Sequence, residues 1–172
     1  GGASDGKTME DGGAFVGGVE LTQRSGILFQ DRKIRSVTFG VGAANYALDV
    51  VADDIGCVAE RTIASINATA CWWDSDGPWM VTPGSAPVSI GVDKINNWAA
   101  DNIGRLNFKN LVATVDPGRN LIMWRVDSTR ILCCDLRRRE FSILPASTAT
   151  LARIAVPAAT INSLSGTINE LT

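Results

Sequence analysis

Between Asn110 and Leu144, apolar residues fall in four short runs: Leu111 to Val115, Leu121 to Val126, Arg130 to Asp135 and Glu140 to Ile143. Turn-forming segments separate them, namely Asp116-Pro117-Gly118-Arg119, Asp127-Ser128-Thr129 and Leu136-Arg137-Arg138-Arg139. In the first turn Pro presets φ and the following Gly tolerates φ > 0. Strand starts recur about every ten residues, the spacing of an antiparallel meander. Both sets of alternate positions are apolar. Leu121 and Met123 point one way while Ile122, Trp124 and Val126 point the other; Leu132 and Cys134 oppose Ile131 and Cys133. An antiparallel sheet with one wet face alternates apolar with polar. This pattern therefore predicts a four-stranded sheet covered on both faces. A β-propeller blade between two neighbours meets that condition, and a layer of a β-sandwich meets it less naturally.

The same rhythm recurs upstream. Arg61 to Ile90 yields Thr62 to Ile66, Thr69 to Trp73, Trp79 to Thr82 and Pro87 to Ile90, broken by Asn67-Ala68, Asp74-Ser75-Asp76-Gly77-Pro78 and Pro83-Gly84-Ser85. Val19 to Thr22, Ile27 to Gln30, Lys33 to Phe39 and Asn45 to Val51 form another set, closed by Asp53-Asp54-Ile55-Gly56. The rhythm breaks at Val92 to Ile103. There Val92, Ile95, Trp98, Ala99 and Ile103 fall at helical spacing, with Asp93 in the first turn, where the helix dipole favours an anion. The pattern predicts an all-β fold of antiparallel four-stranded propeller-like blades, at 19–54, 61–90 and 110–144, with one short helix at 92–103 between blades. Three blades are fewer than the four to eight with which propellers close. Unsealed faces and strand edges favour association.

The flanks read differently. Gly1 to Gly18 holds seven glycines and predicts a Gly-rich arm or loop. Its Gly2-to-Thr8 stretch lacks the spacing of a phosphate-binding loop. Residues 145–172 are rich in Thr, Ser, Ala and Asn and carry a seven-residue repeat, Thr160-Ile161-Asn162-Ser163-Leu164-Ser165 and then Thr167-Ile168-Asn169-Glu170-Leu171-Thr172. A coiled coil needs more heptads than these, so an extended C-terminal arm is expected. An opening Gly in place of Met fits a processed or partial product, and no signal peptide is visible.

Composition narrows the chemistry. A chain of 172 residues with 45% hydrophobic content supports one sizeable core. A net charge of −2 gives no signature of nucleic-acid or membrane binding, and no apolar run reaches the length of a membrane-spanning helix. There is no His, and Cys57, Cys71, Cys133 and Cys134 show no CxxC spacing. Neither a metal nor another cofactor is expected, and the cysteines read as reduced core thiols. Asp53, Asp54, Asp74, Asp76 and Asp116 each sit in a turn, where Asp bonds its own backbone, so turn duty outweighs acid–base or metal roles. Asp74 to Gly77 lacks the remaining ligands of an EF-hand loop. Tryptophans 72, 73, 79, 98 and 124 lie at core-like spacing. Because Trp72 and Trp73 are neighbours in a strand and face opposite ways, they are the candidate surface aromatics. Arg119, Arg137, Arg138 and Arg139 are the candidates for contact with another subunit or with passing DNA. Arg125, Arg130 and Arg153 belong to the same basic set.

The order of several segments resembles tailed-bacteriophage tail and neck structural proteins with β-propeller blades, of the tail hub, nozzle or DNA-stabilisation type. The resemblance is carried by Gly26 to Thr38 as a strand pair, Ile55 to Ile63 as the approach to a new blade, and Ala70 to Val81 as a strand–turn–strand. Ile90 to Ile95 resembles the family's helix start, Ala113 to Val126 a hairpin, and Ile131 to Ser142 a closing strand pair. Glu140-Phe141 departs from the family's final aromatic pair. The resemblance spans roughly Gly18 to Leu171. It implies a virion structural protein without enzymatic activity. Such a protein forms part of a ring in the tail or head–tail connector, seals or guides the genome and is assembled in the bacterial host cytoplasm. The implied partners are further copies of the chain, neighbouring tail or neck proteins and passing phage DNA, with no membrane. Two alternatives stand beside it: a host-glycan-binding propeller at the tail tip, and a propeller glycosidase.

Overall fold

The computed structural model describes residues 9, 11–40 and 46–146. The described chain is mostly β, in three four-stranded antiparallel sheets with few helices. The first sheet pairs β1 (Phe15–Thr22), β2 (Ser25–Gln30), β3 (Lys33–Phe39) and β4 (Tyr46–Asp53) in chain order. The second pairs β5 (Ala64–Ile66), β6 (Thr69–Asp74), β7 (Gly77–Val81) and β8 (Val88–Ser89). The third pairs β9 (Val112–Asp116), β10 (Leu121–Arg125), β11 (Arg130–Asp135) and β12 (Glu140–Pro145). Each sheet is thus a plain meander, as the turn chemistry predicts.

The edges of these elements differ from the expectation in three places. β1 begins at Phe15, so the last four residues expected in the glycine-rich arm pair with β2, Gly17 facing Phe29 and Gly18 facing Leu28. Glycine belongs here because Gly17 packs against the Glu60 and Ile63 side chains; a Cβ would come within 2.9 Å of Glu60. The rest of the expected arm, at 1–8 and 10, lies outside the described residues. The helix between the second and third sheets is shorter than its periodicity suggests. It spans Asn96–Asn102 (α1), because Asp93 takes φ +59 and the N–H groups of Lys94, Ile95 and Asn96 all turn back to the Gly91 carbonyl. Val92 is exposed rather than core-facing. The strand closing the third sheet runs on to Pro145, and the expected C-terminal arm beyond Ala146 lies outside the described residues.

Two apolar cores join the three sheets face to face. Ile27, Phe29 and Ile34 of the first sheet meet Ala70, Trp72 and Val81 of the second. Cys71 and Trp73 of the second sheet meet Ile122, Trp124, Leu132 and Cys134 of the third, closed below by Ile95, Ala99 and Phe108. β6 feeds both: its alternate residues serve opposite cores, which the period of two requires. Trp72 and Trp73 are consequently both fully buried. The expectation that one of them reaches a surface is corrected, because the second sheet is covered on both faces. Trp72 packs on Phe29 with ring centroids 5.1 Å apart. Trp73 makes edge contacts with Phe108 and Trp124 at 4.7 and 5.8 Å. First strands lie side by side along the stack, β1 against β5 and β5 against β9.

The linker from the first sheet to the second is stitched to both. Cys57 N–H donates to the Gln30 carbonyl and Val58 N–H to that of Trp73. The buried indole N–H of Trp72 donates to the Gly56 carbonyl at 2.9 Å, and that of Trp124 to the Thr62 carbonyl at 3.1 Å. Gly56 passes so close to the β2–β3 turn that a Cβ would sit 1.8 Å from the Asp31 carbonyl oxygen.

Candidate functional site

The arginines singled out in the sequence come together at one end of the third sheet. Arg119 lies in the β9–β10 turn, and Arg137, Arg138 and Arg139 form the β11–β12 turn. A hydrogen bond from Leu136 N–H to the Asn120 carbonyl, 3.2 Å, holds the two turns side by side. The arginine tip is built by Asp135, whose carboxylate accepts from the backbone N–H of Arg137 (2.8 Å) and of Arg138 (3.3 Å). Arg139 closes the turn at φ +56, its N–H on the Asp135 carbonyl and its own carbonyl accepting from Lys94 Nζ at 2.6 Å. Three exposed guanidinium groups therefore stand on a rigid turn, with Arg119 beside them. Asp116, Asp135 and Glu140 border the same tip, so its charge is mixed rather than a continuous basic field.

Of the aspartates read as turn residues, Asp116 bonds its own turn, whereas Asp53 and Asp76 pair with cations of other elements. Asp116 Oδ1 accepts from Arg119 N–H at 3.2 Å, and Asp53 pairs with Lys33 at 2.6 Å. Asp76 is ion-paired with Arg105. Asp54 sits at φ +62, a left-handed turn position that Asp tolerates. Asp127 accepts from both the N–H and hydroxyl of Thr129 and from Arg130, which hold its carboxyl down at about 2. Asp74 is half-buried, and burial raises its carboxyl above the ordinary range. It borders a cleft of about 350 Å³ with Asp31, Cys57, Ser75, Arg105 and Lys109. Burial also pushes the Cys57 thiol up to about 11, which leaves it protonated and unactivated at neutral pH. Among the described residues no three acidic, Cys or His side chains gather to hold a metal ion.

An ion-pair cluster at the head of the first sheet escapes sequence reading. Asp11 pairs with Lys33 at 2.7 Å and with Arg35, whose Nε donates to Gln30 Oε1 at 3.1 Å. The Gln30 amide in turn donates to the carbonyls of Met9 and Gly13. Lys33 is raised and Asp11 lowered by their mutual hydrogen bond. The segment before β1 is thereby strapped across the first sheet. Asp11 lies 24 residues before Arg35 with no periodic signal between them, so only the fold brings them together.

With Trp72, Trp73 and Trp124 buried, an aromatic sugar platform built on them is lost. Trp98 remains half-exposed, and the guanidinium of Arg130 stacks over its ring at 5.8 Å. Among the described residues, the two outer faces of the stack mix apolar with polar and charged side chains. On the first sheet the register places Leu28, Val37, Leu48 and Val50 on the face away from the second sheet, together with Glu20, Gln30, Lys33 and Arg35. On the third sheet it places Val112, Leu121, Met123, Ile131 and Leu144 on the corresponding outer face, together with Asp116, Arg125, Asp135 and Glu140. No other sheet among the described residues packs on either face. No family model matches this chain, and no curated protein matches it.

Proposed function

We propose that the three sheets are consecutive blades of a β-propeller and that the protein is a structural component of a tailed-bacteriophage virion. In this reading it forms part of a ring in the tail or head–tail connector that seals or guides the genome. Its role is scaffolding rather than catalysis. The observation that supports this best is the arrangement itself: three four-stranded meanders stacked in chain order through two apolar cores, first strand beside first strand. That is how blades follow one another around a propeller axis. The order of sequence segments resembling the phage family supplies the virion half of the proposal. The arginine tip then meets a neighbouring subunit or passing DNA, and a net charge of −2 makes the protein contact the principal one.

The test is direct. Particles of the phage that encodes this chain are purified and their proteins quantified by mass spectrometry. The proposal expects peptides of this chain in the particle at a fixed ratio to the tail proteins. Abundance in the lysate with absence from purified particles would sink it.

A further inference from the structure

A hollow of about 220 Å³ opens between the end of α1 and the β10–β11 turn, lined by Asn102, Asn107, Asn110, Asp127 and Arg130 over Ile103 and Val126. We propose that, whatever the three sheets build as a whole, this hollow binds one ring of an uncharged, polyhydroxylated ligand, a neutral sugar.

The polar groups are held in place with bonding capacity to spare. Asn102 Nδ2 donates to the Trp98 carbonyl at 2.9 Å, and Asn107 Nδ2 to the Ile103 carbonyl at 2.8 Å. Each bond uses one amide hydrogen, so each carboxamide keeps a second N–H and its oxygen. The Asn110 carboxamide, at the end of the 3₁₀ turn Arg105–Asn110, has no partner among the described residues. Arg130 is clamped from three sides. Its Nε donates to Asp127 Oδ2 at 2.8 Å, its Nη2 reaches the same oxygen at 2.7 Å and the Asn102 carbonyl at 3.4 Å, and the Trp98 ring lies 5.8 Å behind it. Asp127 is fixed in turn by the N–H and hydroxyl of Thr129. Groups that are already locked lose little freedom when a ligand arrives, which is how preorganisation raises affinity.

The chemistry of the hollow selects the ligand class. Asp127 and Arg130 neutralise each other, so no net charge is left to hold an anion or a cation. The three carboxamides offer donors and acceptors side by side, and a hydroxyl serves both at once. A sugar ring carries such a hydroxyl on most of its carbons, whereas a peptide brings only one donor and one acceptor per residue. Ile103 and Val126 give the ring's C–H face an apolar seat. The volume is below the roughly 300–1,000 Å³ of a drug-sized pocket, which limits the site to a single ring.

The experiment is a titration of the full chain, labelled with nitrogen-15, followed by NMR. The probes are glucose, galactose, mannose and N-acetylglucosamine, with glucuronate and a blocked tri-alanine peptide as controls. Sugars are taken to about 50 mM, above the dissociation constant of about 1–10 mM expected for a few hydrogen bonds. At least one neutral sugar is expected to shift, saturably, the side-chain amides of Asn107 and Asn110 and the indole signal of Trp98. Asn110→Ala and Arg130→Lys are each expected to weaken that binding about threefold to tenfold, the effect of one hydrogen bond. Unchanged signals from the three sheets show that each variant keeps the fold. Failure of all four neutral sugars to shift these signals would overturn the proposal, as would shifts that survive both substitutions. Tighter binding of glucuronate would mark an anion site instead, and tighter binding of the peptide a protein contact; either result overturns it.

Discussion

Trp72 and Trp73 tie the two cores together. Each is fully buried, each belongs to a different core, and their adjacency in β6 is what lets one strand serve two interfaces. Trp→Ala at either position is expected to cost about 3–5 kcal/mol in urea denaturation, the range for large aromatic deletions. The indole nitrogens separate them further. Trp72 and Trp124 donate to the carbonyls of Gly56 and Thr62, whereas the Trp73 nitrogen has no hydrogen-bond acceptor among the described residues. Trp72→Phe and Trp124→Phe each strand a buried carbonyl, so each is expected to cost about 1–2 kcal/mol more than Trp73→Phe. Equal losses at all three positions would show that the two hydrogen bonds contribute nothing net. Gly56→Ala belongs at this scale too. A Cβ cannot stand 1.8 Å from the Asp31 oxygen, so the linker must move, and a loss of about 3 kcal/mol or more is expected from thermal or urea unfolding.

The buried thiols set an alkaline limit. Burial raises Cys57 to about 11 and Cys134 to about 12, while an unfolded thiol titrates near about 8.5. Above that value the unfolded chain loses protons that the folded one keeps. Stability is therefore intact below about 8.5 and falls as pH rises through the folded values. Urea midpoints measured at neutral pH and at about pH 10 are expected to drop, and Cys134→Ala is expected to flatten the drop. Asp127 acts with the opposite sign: its carboxyl is lowered to about 2, so its contribution is present above its ordinary value of 3.8 and is lost as pH falls toward 2.

At the scale of elements, the strands were legible because their signals are local. Turn residues such as Asp116-Pro117-Gly118 and Asp74-Ser75-Asp76-Gly77 punctuate the chain, and the two-sided apolar character of β10 and β11 follows from side-chain period alone. The arginine set was legible as residue types. That Arg119 lies against the β11–β12 turn was not, because it depends on a single backbone bond between Leu136 and Asn120. Helical spacing over Val92 to Ile103 overreached, since it cannot see the left-handed turn at Asp93 that delays the helix to Asn96. Placing a tryptophan of β6 at a surface failed for a similar reason: alternation gives opposite faces, and only the stack shows that both are covered. The strap of Asp11 across Lys33 and Arg35 had no sequence signal at all.

The stack also ranks the strands. β6 is flanked by β5 and β7 in its own sheet and by a sheet on either side, whereas β12 is an edge strand with largely exposed side chains. Native-state hydrogen exchange is expected to be slowest at Ala70 to Trp73 and fastest among the ordered strands at β12 and the two-residue β8. Protection of β12 equal to that of β6 would mean that its free edge is paired with something in solution.

For the whole molecule, the account comes down to whether the three sheets turn about one axis. The most direct measurement is a crystal structure of the wild-type chain. The account predicts that the three sheets turn about a common axis with β1, β5 and β9 innermost. A structure in which these first strands do not converge on a common axis would contradict it.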